Sequence, residues 1–402
     1  MSFRNFTQAI LLLLLGSSAV PSSWSQTYTV LYSFTGGTDG AVPVGGLIQD
    51  PAGDLYGTTE GILSGTTRGS VFKLSLSGKF SLLHNFGAGG AGGASPEAGL
   101  VMDSAGDLYG TTFSGGGSGQ GTVFVLPKKG KFSVLYSFSG EKDGWAPAAR
   151  LMLDPAGNLY GTTYLGGSPN CKVGLGTSCG VVFKLDTKGH RTVLHRFTKP
   201  KMDGDFPLGG LLRDAGGNLY GTDSLGGPAN DGTVFKLDPA GRETVLHSFS
   251  GPDGAVPESG LIEDATGNFY GTTSSGGDLG TVYKLDPQSN ETVLYTFTGG
   301  NDGGVPIGDL IRDSAGNLYG TTYAGGKNTA CFDGEGCGVV FKLDSSGNET
   351  VLHSFTGGRD GFGPEAGLVM DATGNLYGTA NFGGTVNREC AGGCGVVFKI
   401  TP

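Results

Sequence analysis

Apolar residues in this chain fall in short runs broken by glycine, asparagine, aspartate or proline, and the runs recur in one fixed order. Val293-Leu-Tyr-Thr-Phe297, Gly308-Asp-Leu-Ile-Arg-Asp313, Gly316-Asn-Leu-Tyr-Gly-Thr-Thr322 and Gly338-Val-Val-Phe-Lys-Leu343 state the phrase once. The runs are rich in Val, Leu, Tyr, Phe and Thr and bounded by turn residues, which is the chemistry of strands. Outside the N-terminus no segment keeps a helical period. Seven copies of the phrase, with tyrosines at Tyr56, Tyr109, Tyr160, Tyr220, Tyr270, Tyr319 and Tyr377, lie 53, 51, 60, 50, 49 and 58 residues apart. A period near fifty with four strand-like segments predicts an all-β, seven-bladed β-propeller of four-stranded blades.

Spacings within a copy order the strands. From the leucine of the first segment to the tyrosine of the second (Leu47 to Tyr56, Leu310 to Tyr319) is nine residues throughout, and from the aromatic of Val-Phe-Lys-Leu to the next phenylalanine (Phe72 to Phe86, Phe341 to Phe355) is fourteen. These are two fixed hairpins. The step from that phenylalanine to the next leucine stays at twelve to fourteen, while the step from tyrosine to Val-Phe ranges from thirteen to twenty-three. The uniform step fits the crossing from the rim of one blade to the axis of the next. Each blade therefore reads, from axis to rim, Gly-Leu-x-x-Asp (A), Asn-Leu-Tyr-Gly-Thr (B), Gly-Val-Phe-Lys-Leu (C) and Thr-Val-Leu-Tyr/His-Ser-Phe (D). On this phase Thr29 to Phe34 is a D strand and Val396 to Ile400 a C strand, so the N-terminal outer strand pairs with the C-terminal blade and removes a free sheet edge. Stacked blades bury both sheet faces, so strands are short apolar runs rather than alternations. The glycine after each strand-B tyrosine is expected to let the next blade approach. The seven tyrosines are expected to be core pieces whose hydroxyls each need one partner.

Glycine and proline, 79 and 18 of 402 residues, would signal low complexity without the period. A net charge of −10 with no basic run speaks against a nucleic-acid or anionic-membrane partner. Arg4, the apolar run Ala9 to Leu15 and the small-residue stretch ending at Ser25 read as a signal peptide over residues 1–25, leaving one propeller over 26–402. No later run is long enough to span a bilayer, so no integral membrane span is expected once the signal is removed. The six cysteines form three local pairs, Cys171 with Cys179, Cys331 with Cys337 and Cys390 with Cys394, inside the three longest B–C loops. Their separations of eight, six and four do not match paired Cys-x2-Cys zinc ligands. Disulfides that staple long loops in an oxidising compartment are the expected reading.

The strand directions put the D–A crossings and B–C loops on one face and the invariant turns on the other, so a site belongs on the loop face. There the crossings repeat Asp-Gly before proline, at Asp39, Asp143, Asp203, Asp253, Asp302 and Asp360. Six carboxylates round a common funnel could hold calcium or sugar hydroxyls. Asp before Gly also closes turns by bonding its own backbone, and this is the stronger reading. The strand-A aspartates, Asp50 to Asp371, are expected to open hairpins. Four of the five histidines (His84, His195, His247, His353) replace the D-strand tyrosine of the other copies, which looks like packing, and no catalytic residue is assigned. Metal identity, if any, stays open.

The phrase Gly-Leu-x-x-Asp-x-x-Gly-Asn-Leu-Tyr-Gly-Thr-Thr followed by Gly-x-Val-Phe-Lys-Leu resembles the GloVer tandem-repeat family of exported bacterial proteins over essentially the whole mature chain. That resemblance implies a repeat, often followed by a surface anchor, and no established catalytic residues. Here the chain stops two residues after Ile400, so no C-terminal anchor is expected. A looser likeness of the A–B hairpin is to streptogramin lyase-like propellers, whose catalytic motif has no match here. The expectation is a secreted or periplasmic monomer that binds a glycan or a protein through its loop face. A metal-assisted lyase or hydrolase using the acidic funnel is the alternative, and a structural envelope component comes third.

Overall fold

The computed structural model describes residues 26–62, 67–87, 90–140, 142–167, 179–198 and 203–401. Seven four-stranded antiparallel sheets carry the chain, each in the spatial order A-B-C-D. Blade 1 consists of Ile48–Gln49, Leu55–Thr59, Thr67–Leu74 and Phe80–Gly87. Blade 3 is Met152–Leu153, Leu159–Thr163, Val181–Leu185 and Arg191–Arg196, and blade 4 is Leu212–Arg213, Leu219–Asp223, Thr233–Leu237 and Glu243–Ser248. Blades 2, 5 and 6 lie at 101–137, 262–296 and 311–354. In blade 7 the strands Val369–Met370, Leu376–Ala380 and Val396–Thr401 come from the C-terminal end, and Thr27–Ser33 supplies strand D, with Thr27 opposite Thr401 and Ser33 opposite Val396. The two ends thus close the ring as expected. The expected signal peptide, residues 1–25, lies outside the described residues, as does Cys171.

Seven apolar clusters fill the seven junctions between blades. Val71 and Phe86 of blade 1 meet Leu100, Leu108 and Phe124 of blade 2. At the closure, Phe34, Tyr377 and Val397 of blade 7 pack on Leu47, Leu55, Phe72 and Leu74 of blade 1. Each C–D pair shifts register where a leucine is inserted into strand D, Leu194 in blade 3 and Leu31 in blade 7 being two instances, and blade 1 has a further shift between Thr67 and Ser70. The bulge turns that leucine towards the following blade, so Leu194 joins the cluster of Leu219 and Phe235, and Leu31 that of Phe72.

The strand-B glycine works differently from expectation. A Cβ at Gly57 would lie 2.7 Å from the tip of the Phe72 ring and 2.9 Å from Leu47 Cδ2, both in its own blade. Gly57 pairs directly with Phe72 across the B–C ladder, so the glycine makes room for the aromatic of its own sheet and not for a neighbouring blade.

The A–B hairpin closes with the same two backbone hydrogen bonds in all seven blades. In blade 7, Asp371 Oδ1 accepts from the Thr373 and Asn375 backbone N–H groups and the Thr373 hydroxyl, while Oδ2 accepts from Asn375 Nδ2 at 2.7 Å and the Tyr377 hydroxyl at 2.9 Å. The tyrosine–aspartate bond recurs from Tyr56–Asp50 to Tyr377–Asp371, so each tyrosine hydroxyl has its partner. Gly374, at φ 85°, supplies the left-handed turn residue that a side chain would disfavour.

Candidate functional site

Strand A lines the axis, and its neighbours touch through glycine. A Cβ at Gly99 would sit 2.9 Å from the Gly46 carbonyl oxygen, and one at Gly367 would sit 2.7 Å from that of Asp309, so strands of adjacent blades meet backbone to backbone. At two places in this ring the glycine is replaced, by Arg150 in blade 3 and Asp309 in blade 6. Arg150 Nη2 reaches Asp309 Oδ2 at 3.9 Å across the lumen, and Asp309 Oδ1 accepts the Gly260 N–H at 2.6 Å.

The lumen, a cavity of about 760 Å³, opens on the face of the D–A crossings and B–C loops. These two segments are bridged to each other at Ala94 with Ser114, Trp145 with Leu165, Ala255 with Ser275, Gly304 with Ala324 and Phe362 with Phe382, which confirms that they share a face. Each crossing bends at the residue before its proline, which has left-handed backbone: Val42, Ser95, Ala146, Phe206, Val256 and Val305 lie at φ 53° to 59°, and Gly363 at 62°. A β-branched residue there is strained, at about 1–3 kcal/mol, and persists only where its surroundings hold it. They do so from both sides. Val42 N–H donates to the Cys394 carbonyl at 3.0 Å and its own carbonyl accepts from Glu60 N–H at 2.9 Å; Val305 is held likewise by Leu279 and Tyr323.

The bend aims the residue after the proline at the lumen. Round the ring this position is Val44, Glu97, Ala148, Leu208, Glu258, Ile307 and Glu365, all lining the cavity, and Glu60 joins them from the end of strand B in blade 1. The four glutamates are half-buried. Burial pushes the Glu97 carboxyl up to about 8, with Glu60 and Glu365 adding repulsion. Glu365 is pushed up to about 7 by burial, opposed in part by Asn381 and reinforced by Glu60 and Glu258. Glu258 rises through burial, opposed by Ser274, and Glu60 rises through burial. At neutral pH the mouth therefore presents carboxyl donors beside carboxylate acceptors. On the blade 6 and 7 side, Tyr323 stacks on Phe332 at 4.3 Å and Phe362 on Phe382 at 5.1 Å, giving half-exposed aromatic faces on the loops.

The six crossing aspartates stand elsewhere and apart. Each serves its own crossing: Asp302 accepts from Thr298 N–H, Thr298 hydroxyl and Tyr295 hydroxyl, and Asp143 from Ser139, Gly140 and Tyr136. Asp39 takes Thr35 and Tyr32, Asp253 takes Ser250 and His247, Asp360 takes Thr356 and His353, and Asp203 accepts the Thr198 N–H. None of the six lines the lumen. Cys331–Cys337 and Cys390–Cys394 are disulfides, and Cys179 is disulfide-bonded as well. They press on the crossings: a Cβ at Gly36 would lie 2.8 Å from Cys390 Sγ, and one at Gly357 lies 2.6 Å from Cys331 Sγ. The staples thus fix B–C loop to crossing, and the lumen itself is walled by crossings and strand A. The four glutamates escaped sequence reading. For Glu97, Glu258 and Glu365 the signal was Pro-Glu two residues before the strand-A glycine, in three of seven crossings; Glu60 follows strand B and had no such signal.

Seven blades of one repeated phrase, closed by strands from both ends around a walled lumen, define a tandem-repeat β-propeller. The chain belongs to the Gloeobacter/Verrucomicrobia repeat family, whose profile matches residues 21–140, 63–280 and 262–402. No curated protein matches it. Among solved structures it is similar to a candidate 6-phosphogluconolactonase from Bacteroides fragilis, at 15% identity and a TM-score of 0.51, over 84% of this chain and 88% of that one. The extracellular domain of a candidate one-component system from B. thetaiotaomicron aligns at 12% identity and a TM-score of 0.54, over 93% of this chain and 40% of that one. A gluconolactonase from Xanthomonas campestris aligns at 16% identity and 0.45, over 73% and 85%. At these identities the likeness is one of fold. No helix among the described residues is long and apolar enough to cross a membrane.

Proposed function

We propose that this protein is an exported binding module, secreted or periplasmic, that takes a carbohydrate at the mouth of its central lumen. The observation that carries the reading is the convergence of Glu60, Glu97, Glu258 and Glu365 on one opening, all four carboxyls raised by burial and those of Glu97 and Glu365 raised to about 8 and 7, into the range where they are partly protonated at neutral pH. Mixed carboxyl and carboxylate groups both donate and accept, which is what vicinal hydroxyls require. The aromatic faces of Tyr323 and Phe362 nearby offer flat apolar surface for a sugar ring. Arg150 and Asp309 span the lumen below, so the mouth suits the end of a glycan rather than a threaded chain. Asp253 and Asp360 hold the crossings that present Glu258 and Glu365, and the Cys331–Cys337 disulfide presses on the second of them. Disulfides agree with an oxidising compartment.

The same four carboxylates are hard oxygen donors, and this favours a second reading in which calcium sits at the mouth of a lyase or hydrolase. Thermal shift of residues 26–402 against soluble oligosaccharides and calcium separates the two, since a native-state ligand raises the melting temperature by mass action. A saturable glycan shift that Glu97→Gln with Glu365→Gln abolishes supports carbohydrate binding. A calcium shift lost in the same variant, with no glycan response, supports the metal-assisted reading. No response to either overturns both and points to a protein partner.

A further inference from the structure

The junction of blades 3 and 4 differs in geometry even from the next one, where His247 and Glu291 take the places of His195 and Glu243 but His247 Nε2 is held by Asp253 at 3.0 Å. Where blades meet at the rim, the Tyr or His of one D strand faces the first residue of the next D strand. Tyr32 stacks on Phe80 at 4.5 Å, His84 on Phe132 at 3.8 Å and Tyr28 on His353 at 3.8 Å, while Arg191 lies over the Tyr136 ring at 5.4 Å. These are packing contacts, as the exchange of His for Tyr predicts. Between blades 3 and 4 the pair is His195 and Glu243, with Asp203 of the crossing beside them. One donor atom from each of the three lies within 4.8 Å of the other two, the one such grouping found among the described residues. His195 Nε2 is 3.3 Å from Glu243 Oε2, yet it lacks the alignment of a hydrogen bond, and Glu243 Oε1 has no partner either.

Two further carboxylates back this group. Asp223 ends strand B where the other blades have Thr59, Thr112, Thr163, Thr273, Thr322 and Ala380, and Asp205 sits in the crossing where Ala41 and Ala255 sit in blades 1 and 5. Both are completely buried. Asp223 Oδ2 accepts from the Thr233 hydroxyl at 2.9 Å, but its Oδ1 and both oxygens of Asp205 have no partner. The crossing lies directly on Asp223, whose Oδ2 falls 1.7 Å from where a Gly204 Cβ would be. Among the described residues no lysine or arginine pairs with Asp205, Asp223 or Glu243. Buried carboxylates without donors or cationic partners are costly, and a bound dication relieves that cost.

We infer that the junction of blades 3 and 4 is a binding site for one divalent first-row transition cation, held by His195, Asp203 and Glu243 with the buried carboxylate of Asp223 beside them. An imidazole among carboxylates departs from the all-oxygen sets of calcium and magnesium and fits zinc or manganese. The site cross-links two adjacent blades at the rim and is separate from the lumen mouth.

Titration calorimetry of the untagged, chelator-stripped mature chain with zinc chloride tests it. The expected result is one zinc per chain, weakened at least about tenfold by Glu243→Gln, by His195→Tyr and by Asp223→Thr. Asp223→Thr installs the residue that most other blades carry, so it keeps the test valid if another variant fails to fold. Glu291→Gln, the equivalent change at the next junction, should leave the affinity unchanged. Absence of saturable zinc binding overturns the proposal, as does binding that survives both Glu243→Gln and Asp223→Thr. Calcium binding that zinc does not displace overturns the assigned class of cation.

Discussion

Asp371 and Glu365 stand six residues apart on either side of the same short inner strand, and their acid strengths move in opposite directions. Burial raises both. Around Asp371 the side chains of Asn375, Thr373 and Tyr377 and the Thr373 backbone more than offset that cost, and its carboxyl falls below the usual carboxylate range. Around Glu365 only Asn381 opposes burial, while Glu60 and Glu258 add to it, and the carboxyl climbs to about 7. Asp371, the less deeply buried of the two, has donors enough to outweigh its burial, whereas Glu365 is buried more deeply with one donor and is left available to a ligand. The two act on stability at different pH. Asp371, lowered on folding, contributes stability that is present above its unfolded value near 4 and lost as pH falls from there through its lower folded value. Glu97 and Glu365, raised on folding, contribute stability that is present below about 4.3 and lost as pH rises towards their folded values of about 8 and 7.

The largest test of this contrast is Asp371→Ala. It strands five donors at once, among them the hydroxyl of the fully buried Tyr377, and we expect a loss of about 3 kcal/mol in urea unfolding. A loss below about 1 kcal/mol would mean that the hairpin is held by its backbone ladder alone and that the seven aspartates owe their recurrence to something other than stability.

The two carboxylates also differ in how plainly the chain displays them. Asp371 is legible because the phrase places an aspartate six residues before every strand-B tyrosine, and a rigid spacing repeated seven times implies one geometry repeated seven times. The same regularity made the blade order and the strand swap at the closure readable, and the local spacing of the cysteines did so for the Cys331–Cys337 and Cys390–Cys394 pairs. Glu365 is not legible in that way, because the position after each crossing proline changes from blade to blade and looks like tolerated variation. Only the left-handed residue before the proline turns that position inward, and backbone dihedrals leave no mark in residue types when valine, serine, alanine and phenylalanine all occupy the strained place. The strand-B glycine failed for a related reason: its neighbour in space is the cross-strand Phe72, and the phrase gives the pairing but not which ring lies over the gap. His195 read as packing because its exchange with tyrosine holds at the other junctions, and the two buried aspartates that set this one apart, Asp223 and Asp205, stand at positions that also vary in other blades.

A smaller effect sharpens the contrast from the other side. Glu97→Gln combined with Glu365→Gln removes two groups that prefer the proton when folded, so it should be close to neutral at pH 5 and should stabilise the chain by about 1 kcal/mol at pH 8, after discounting for solvent screening. Unfolding curves of the parent at pH 5 to 8 should decline with pH, and those of the double variant should decline less. Equal slopes would mean that the mouth carboxyls titrate as ordinary surface glutamates and would remove the donor–acceptor mixture on which carbohydrate binding was argued.

The smallest effect asks how far the field of the mouth reaches. Arg150 lines the same lumen as the four glutamates, yet their shifts arise from burial and from one another rather than from its charge. Its visible partner is Asp309, at 3.9 Å, and its side chain is 52% exposed, so the pair should be worth no more than about 0.5 kcal/mol. Arg150→Met should therefore leave both stability and the decline between pH 5 and 8 almost unchanged. A steeper decline in the variant would show that the guanidinium does stabilise the ionised glutamates through the lumen. The mouth and the constriction would then be one electrostatic unit, and a ligand entering at the glutamates would be read by Arg150 as well.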